Sequence, residues 1–200
     1  MDKLKFGIIG CGRISVKHIE AIVNNKDEAE LVAIYDIIRE FAIDKKEQYE
    51  SKIEDSNVKV YTDYNEFLND KNIDVATIAT ISGYHGKQAI DCLNHDKHVL
   101  IEKPMALNIE DADKIIKLGK EKNKKVCVSH QNRFIPAVQK LKRAIDEGRF
   151  GKLIHGTART LWNRNDEYYK QASWRGTKAL DGGTLMNQCI HNIDLLLWMM

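Results

Sequence analysis

A pair of glycines near the amino terminus constrains the fold of this chain more than any other feature. An apolar run, Phe6–Ile9, ends in Gly10-Cys11-Gly12, and a segment with helical spacing of its apolar residues follows directly. Glycines at such a point let a strand turn sharply into a helix and let a phosphate approach the positive end of the helix dipole. An ordinary tight turn also uses glycine. The pair by itself leaves both interpretations open.

The residues that follow favour a dinucleotide site over an ordinary turn. The motif has the spacing GxGxxS, with the small side chain of Ser15 where Gly or Ala is usual. A second apolar run, Leu31–Tyr35, ends in Asp36. An acid at this position binds the adenosine ribose 2′-hydroxyl of NAD and repels the 2′-phosphate of NADP. The sequence therefore predicts NAD as the cofactor and disfavours NADP, although Arg39 is a nearby residue that suits a phosphate.

Strand and helix patterns alternate through residues 1–127. The predicted strands are Phe6–Ile9, Leu31–Tyr35, Val58–Tyr61, Asp74–Thr80, His98–Ile101 and Lys125–Ser129. The predicted helices are Arg13–Asn24, Ile37–Tyr49, a short helix capped by Asp63 that ends at Leu68, Tyr84–Asn94, and a helix capped by Asn108 or Asp111 that ends at Lys122. This rhythm is typical of parallel βαβ units. We therefore expect an α/β fold here, a doubly wound parallel Rossmann sheet.

Residues 128–200 predict the start of a second, α+β domain. Its expected elements are a helix at Pro136–Gly148, a strand at Lys152–Leu161, an aromatic and arginine-rich loop at Asn163–Lys178, and a last segment, Leu180–Met200, that opens with Asp181-Gly182-Gly183 and becomes a helix after Gly183. The last helix ends on an unbroken apolar run at 195–200, which cannot face a single neighbour. We therefore expect this chain to be truncated, with the natural polypeptide continuing well beyond this point.

Composition excludes several classes of function. The chain has 200 residues, 43% of them apolar, and a net charge of +2 with acids and bases interspersed, so neither nucleic acid nor an anionic membrane is an expected partner. The cysteines at 11, 92, 127 and 189 have no metal-binding spacing and predict reduced thiols without a metal. No signal peptide and no apolar run of about 18 residues is present, which predicts a soluble cytoplasmic protein.

Ligands of open parallel sheets bind at the carboxyl ends of the strands, where three polar segments of this chain lie. These are Gly10–Arg13, Thr80–His85 and Glu102–Pro104. Lys103 is the sharpest candidate, because a lysine beside a bound nicotinamide can hydrogen-bond a substrate hydroxyl. An ordinary surface lysine is the alternative.

The helix after Gly183 carries a second candidate. At helical spacing, Asn187, His191 and Asp194 share one face. A histidine titrates near neutral pH and can take the proton of an alcohol as hydride leaves, and Asp194 could orient the ring. The alternative is a histidine at a domain interface whose hydrogen bonds are made within the protein. A metal site is less favoured because a third ligand is missing.

Five segments together resemble the Gfo/Idh/MocA family of nicotinamide-dependent sugar oxidoreductases. They read GIIGCGRIS, ATISGYH, EKPMA, HQNRF and DGGTLMNQCIHNID. The resemblance implies a Rossmann domain, a second domain with a large open sheet, and a homodimer or homotetramer when the chain is full length. It places the catalytic lysine and histidine at Lys103 and His191. The usual aspartate four residues before that histidine is Asn187 here.

The resemblance also implies which residues bind ligands. The expected cofactor-binding residues are Gly10, Gly12, Arg13, Ile14, Asp36, Thr80, Ser82, His85, Glu102, Lys103 and Gln131. The expected substrate-binding residues are Lys103, Arg164, Tyr168, Arg175, Asn187 and His191.

Within the family, three segments are most similar to dehydrogenases that oxidise C3 of UDP-N-acetylglucosamine-type sugars or their uronates for surface-polysaccharide synthesis. These segments read SGYH, HQNRF and YYKQASWRGTKALDGGTLMNQ, and Ile81 stands where a proline is common. An inositol or free-sugar dehydrogenase is one alternative. A non-catalytic NAD-binding regulatory protein is another, which Asn187 favours.

Overall fold

The computed structural model describes residues 2–200, whose contacts divide the chain into two compact units. The first unit ends at Val128, and the second spans Ser129–Met200. Among the described residues, no helix combines the length and apolar character needed to cross a membrane.

A six-stranded parallel sheet organises the first unit. Its strands are β1 (Leu4–Ile9), β2 (Ala29–Tyr35), β3 (Lys59–Tyr61), β4 (Val75–Ile78), β5 (His98–Ile101) and β6 (Val126–Val128). They lie in the order β3-β2-β1-β4-β5-β6. This is the strand order of the Rossmann fold, and the order reverses between β1 and β4, where such sheets bind their ligands. The predicted fold class is confirmed.

Five helices cover both faces of this sheet. They are α1 (Ser15–Asn24), α2 (Arg39–Glu50), α3 (Tyr64–Asn69), α4 (Ser82–Asn94) and α5 (Ile109–Glu121). One core places Ile8 and Ile34 of the sheet with residues of α1 and α2, and the other places Ile9 and Ile78 with residues of α3, α4 and α5. Consecutive strand residues point to opposite faces, so the continuous apolar runs of the sequence fill two cores at once.

Phe67 shows how closely one of these cores is packed. Its ring is fully buried and lies against the rings of Tyr35 and Tyr61, at centroid distances of 6.1 Å and 5.9 Å. A Cβ placed on Gly7 of β1 would lie 2.7 Å from the Phe67 ring. The strand therefore carries a glycine where α3 packs against it.

Several predicted boundaries move by a few residues. Helix α4 begins at Ser82, two residues earlier than predicted, and strand β4 ends at Ile78. Asn108, one of the two predicted caps of α5, accepts a hydrogen bond from the backbone N–H of Asp111 at 2.7 Å. Such caps satisfy a backbone donor that the first helical turn leaves without a partner.

The second unit is helical. It contains a 3₁₀ turn at Gln131–Phe134, α6 (Pro136–Asp146), α7 (Asp166–Lys170), α8 (Lys178–Asp181), a π-helical turn at Leu185–Cys189, and α9 (Ile190–Met199). Helix α7 lies inside the predicted loop, where the side chain of Asn165 caps it by accepting from the N–H of Tyr168.

The strand predicted at Lys152–Leu161 is wrong. The segment is irregular and pairs with no strand among residues 2–200, and Ile154 and Leu161 are 89% and 88% exposed. Alternating apolar residues indicate a strand only where a neighbour supplies backbone hydrogen bonds and covers the apolar face.

The helix predicted after Gly183 is present, and it begins with a π-helical turn. Gly182 and Gly183 have φ values of 75° and 81°, which end α8 in the left-handed region that glycine adopts without strain. The chain then enters the π-helical turn before α9.

Removing the Phe67 ring tests the core between the sheet and α3. We expect Phe67→Ala to lower the free energy of unfolding by about 3–5 kcal/mol, because the ring leaves a cavity in a close-packed interior. The matched control is Phe41→Ala, whose ring is 52% exposed and whose loss is expected to cost less than about 0.5 kcal/mol. Urea denaturation followed by circular dichroism measures both. Equal losses for the two variants would contradict this account of the core.

Candidate functional site

The glycine turn after β1 leaves space beside a helix N-terminus. Gly10 has φ 92°, and a Cβ there would lie 2.7 Å from Cγ2 of Thr80, so this residue must be glycine for the strand ends to approach. A Cβ on Gly12 would meet nothing within 4 Å. Helix α1 has no side-chain cap at Ile14, so no side chain blocks the positive end of its dipole from an anion. The turn fits a pyrophosphate, and Arg13 and Ile14 are exposed beside it.

Asp36, at the carboxyl end of β2, is held against this turn. One carboxylate oxygen accepts from the N–H of Cys11 at 2.7 Å, and the other accepts from the N–H of Ile38 at 2.9 Å. A carboxylate oxygen has a second lone pair, so each can still accept from a ribose hydroxyl. Burial and the nearby charge of Asp36 raise the pKa of Cys11 to about 12, and its thiol is therefore neutral.

Polar residues also follow β4. The hydroxyl of Thr80 donates to Oε1 of Gln88 at 2.6 Å, and Ser82 is buried at the first residue of α4. Both residues lie where the strand order reverses, as the sequence predicts for this polar segment.

His85 requires a correction, because its ring does not face open space. It is 1% exposed, with Nδ1 at 2.7 Å from the carbonyl oxygen of Pro104 and Nε2 at 3.1 Å from that of Thr80. Burial lowers the pKa of His85, although both carbonyls oppose this shift because they favour the protonated ring. The ring joins two backbone segments and has a structural role in place of the predicted direct cofactor contact.

The carboxyl end of β5 carries a buried carboxylate next to Lys103. Oε1 of Glu102 lies 3.0 Å from Nε2 of His18, and Oε2 accepts from the backbone N–H of Lys103 at 3.3 Å. Burial opposes ionisation of Glu102, but the bond with His18 and the proximity of Lys103 outweigh burial and hold its pKa below the usual value. Lys103 is partly exposed and precedes a cis peptide bond to Pro104.

In the second unit, His191 is buried near a strong ion pair. It is 7% exposed, and its ring is edge-on to that of His130, with the two ring centroids 6.3 Å apart.

Arg133 donates two hydrogen bonds to Asp194, at 2.7 Å from Nε and 2.5 Å from Nη2, which raise the pKa of the guanidinium. Asp194, the acid predicted to orient His191, accepts from Arg133 through both oxygens, and its Oδ2 also lies 3.8 Å from Nδ1 of His130. Gln131 is exposed at the start of the 3₁₀ turn.

Asn187 contacts a carboxylate that the sequence analysis missed. Its Nδ2 donates to Oδ1 of Asp181, and Oδ2 of Asp181 accepts from the N–H of Gly176 at 2.7 Å. Asp181 is 3% exposed. An amide whose nitrogen is held in this way turns its oxygen in a defined direction.

Two arginines stack on one tyrosine in the same unit. The guanidinium carbons of Arg164 and Arg175 lie 4.8 Å and 4.6 Å from the centroid of the Tyr168 ring. The Tyr168 hydroxyl accepts from Arg175 at 2.9 Å and from Gln188 at 2.8 Å, and Gln188 also accepts from Arg164 at 3.2 Å. The structure thus brings the three residues predicted on this loop together.

Sequence reasoning missed four residues of these networks: His18, Arg133, Asp181 and Gln188. Each lies in a segment already quoted for its motif or helical pattern. Their partners lie up to 84 residues away along the chain, and a local sequence pattern does not predict contacts between such distant segments.

Two family models match this chain. GFO_IDH_MocA, described as an oxidoreductase family with an NAD-binding Rossmann fold, matches residues 4–130, and the GFO/IDH/MocA C-terminal domain matches residues 138–200. Both the predicted family and the predicted NAD-binding Rossmann domain are confirmed.

Similar proteins include sugar-nucleotide and inositol dehydrogenases. The WlbA dehydrogenase from Bordetella pertussis, solved with NADH and UDP-GlcNAcA, is 39% identical with a TM-score of 0.90, covering 100% of this chain and 57% of that chain. The WlbA dehydrogenase from Chromobacterium violaceum, solved with the same ligands, is 35% identical with a TM-score of 0.91, covering 99% and 55%. Inositol 2-dehydrogenase of Salmonella typhimurium is 28% identical, covering 98% of this chain and 54% of that protein. The chain spans about half the length of the curated relatives it matches.

A substitution in the glycine turn separates binding from folding. We expect Gly12→Val to weaken NADH binding by about tenfold or more, since its side chain enters the open space beside α1, while the melting temperature changes little. Gly10→Ala is expected to lower the melting temperature, because Gly10 has positive φ and lies against Thr80. NADH fluorescence titration and thermal melting measure the two effects. Unchanged NADH affinity in Gly12→Val would exclude the turn as the phosphate site.

The charge of Asp36 is expected to set the cofactor preference. The protein should bind NADH more tightly than NADPH, and Asp36→Ala should lower the NADH-to-NADPH affinity ratio by about tenfold, because the ribose hydroxyl loses its acceptor and the 2′-phosphate loses a repelling charge. Asp44→Ala, which removes an exposed acid of α2, is the control and should leave the ratio unchanged. Tighter binding of NADPH by the unsubstituted protein would refute this assignment.

Proposed function

This chain belongs to the GFO/IDH/MocA family of oxidoreductases, and we propose that it acts in an NAD-dependent dehydrogenase of nucleotide sugars. The proposed reaction oxidises a secondary alcohol, at C3 of a UDP-N-acetylhexosamine or its uronate. Residues 1–127 form the proposed cofactor domain, and residues 128–200 begin the proposed substrate domain.

The proposed substrate class depends on two arginines, Arg164 and Arg175, that stack on Tyr168. Across residues 2–200, no carboxylate forms an ion pair with Arg164 or Arg175. The Nε–H of Arg175 is buried with no hydrogen-bond partner in the same part of the chain. Buried donors are normally satisfied, and guanidinium groups bind carboxylates and phosphates with paired hydrogen bonds. An anionic substrate would satisfy this pair, and a nucleotide sugar carries a diphosphate or, in a uronate, also a carboxylate.

The proposed cofactor site lies along the carboxyl edge of the sheet. The residues assigned to it are Gly10, Gly12, Arg13, Ile14, Asp36, Thr80, Ser82, Glu102 and Lys103, and Gln131 is a further proposed cofactor contact. The glycine turn and the positive end of the α1 dipole receive the pyrophosphate, and Asp36 accepts from the adenosine ribose. His85 supports this site indirectly, because its ring contacts the backbone carbonyls of Thr80 and Pro104.

The proposed chemistry uses two proton-handling residues, His191 and Lys103. Bound NAD would supply the hydride acceptor for the carbon that bears the hydroxyl. His191 takes the hydroxyl proton, and the carbonyl of the ketone forms as the C–H bond breaks. Lys103 donates a hydrogen bond to the same oxygen and stabilises its developing charge. Asn187, whose amide nitrogen is held by Asp181, presents its oxygen to a sugar hydroxyl.

Inositol oxidation is the second candidate, favoured by the similarity to inositol 2-dehydrogenases over the length of the chain. Inositol is uncharged and would leave the arginine pair without an anion. A non-catalytic NAD-binding regulator is a third reading, for which Asn187 in place of an acid is the supporting feature.

Ligand screening and turnover separate these candidates. With NADH present, we expect UDP-N-acetylglucosamine or its uronate to raise the melting temperature more than inositol or simple hexoses do, because only the nucleotide sugars are anionic.

Lys103→Ala and His191→Ala should each lower kcat by about 100-fold or more, measured as NADH formation. Lys87→Ala, on the exposed face of α4, is the control. Arg175→Ala should raise KM for the nucleotide sugar.

Each alternative has its own signature in this experiment. If inositol is the only compound that stabilises the protein and is oxidised by it, the substrate is inositol and the nucleotide-sugar assignment is wrong. Ligand binding without turnover, or full turnover in both Lys103→Ala and His191→Ala, would reject the proposed chemistry.

A further inference from the structure

A half-buried histidine of α1 contacts the residue before Lys103. His18 and Glu102 are 84 residues apart, yet Nε2 and Oε1 lie 3.0 Å from each other. Each side chain is only 12% exposed. Both residues belong to the first unit.

The chemistry of this contact defines the state of the histidine ring. Glu102 is ionised, since its pKa is held below the usual value, and a carboxylate can only accept hydrogen bonds. The proton must therefore be on Nε2 of His18. An exposed pair of this kind would contribute little to stability. A buried carboxylate that loses its hydrogen-bond donor must instead move or change its protonation state.

The residues on both sides of Lys103 are held by histidine side chains. On one side, Glu102 binds His18 through Oε1 and the backbone N–H of Lys103 through Oε2. On the other side, the carbonyl oxygen of Pro104 faces Nδ1 of His85 at 2.7 Å. The backbone N–H of Glu102 also donates to the carbonyl of Ile78 at 2.9 Å. The turn therefore has an anchor on α1, one on β4 and one on α4.

We propose that His18 is a positioning residue for Lys103, acting through Glu102. The inference rests on the proposed role of Lys103, and it predicts that the helix beginning at the phosphate turn also fixes the backbone of the catalytic lysine. His18 itself touches neither substrate nor cofactor in this scheme. Its function is to keep the Glu102 carboxylate in the place where it holds the turn.

Kinetics of matched variants test the proposal. His18→Leu is expected to lower kcat by about tenfold or more while the NADH dissociation constant changes less than about threefold, because displacement of a catalytic group affects turnover more than cofactor binding. His18→Gln, whose side-chain amide can donate to Glu102, should recover most of kcat. Lys17→Ala, a neighbouring exposed residue of α1, is the control and should match the unsubstituted protein.

Two kinetic results would overturn the proposal. One is an unchanged kcat in His18→Leu, and the other is an equal loss in His18→Leu and His18→Gln, which would indicate packing rather than hydrogen bonding. A double-mutant cycle adds a third criterion: in a Lys103→Ala background, His18→Leu should cost no further activity, since its effect passes through the lysine. An additive loss would show that His18 acts elsewhere.

A readout without turnover separates this proposal from the proposed function. Reductive ¹³C-methylation labels lysine amines, and loss of one peak in Lys103→Arg identifies Lys103. The pH midpoint of that peak should move in His18→Leu and in Glu102→Gln, and stay in Lys17→Ala. A midpoint that does not respond to His18→Leu refutes the proposal even if the dehydrogenase reaction is established, and a response supports it even if the substrate assignment fails.

Discussion

The close approach of two strand ends is the constraint on which the first unit depends. Gly10 lies against Ala79 and Thr80, where a Cβ would be 3.0 Å or less from both. The N–H of Ala79 donates to Ile9 at 2.8 Å, and the N–H of Gly10 donates to Tyr35 at 2.9 Å. The backbone ladders of β1, β2 and β4 thus continue to the point where the strand order reverses. A side chain at Gly10 would push these ends apart, and the crevice beside α1 would lose its shape.

Behind this edge, buried polar side chains hold loops together. His85 joins the segments after β4 and β5, and His18 joins α1 to Glu102. A polar group in an interior is costly unless it is hydrogen-bonded, and these groups bind backbone carbonyls or each other. Such contacts hold neighbouring loops in register with one another, which apolar packing alone does not do.

The second unit arranges its charges differently. Arg133 and Asp194 neutralise each other, and Asp181 is satisfied by the amides of Asn187 and Gly176. The arginines stacked on Tyr168 have no acid of the described residues to neutralise them. This contrast between satisfied and unsatisfied charge is the physical basis for assigning an anionic ligand to that loop.

The sequence by itself determined the sheet, because apolar periodicity and glycine placement are local signals that report which face of a segment is buried. The GxGxxS turn and Asp36 at the end of β2 followed from the same patterns. Only the tertiary structure decided the partners of His18, His85 and Asp181, since these hydrogen bonds join segments whose separation along the chain carries no information about distance. The irregular course of residues 152–161 has the same origin: alternation describes one strand, whereas a sheet requires a second one beside it.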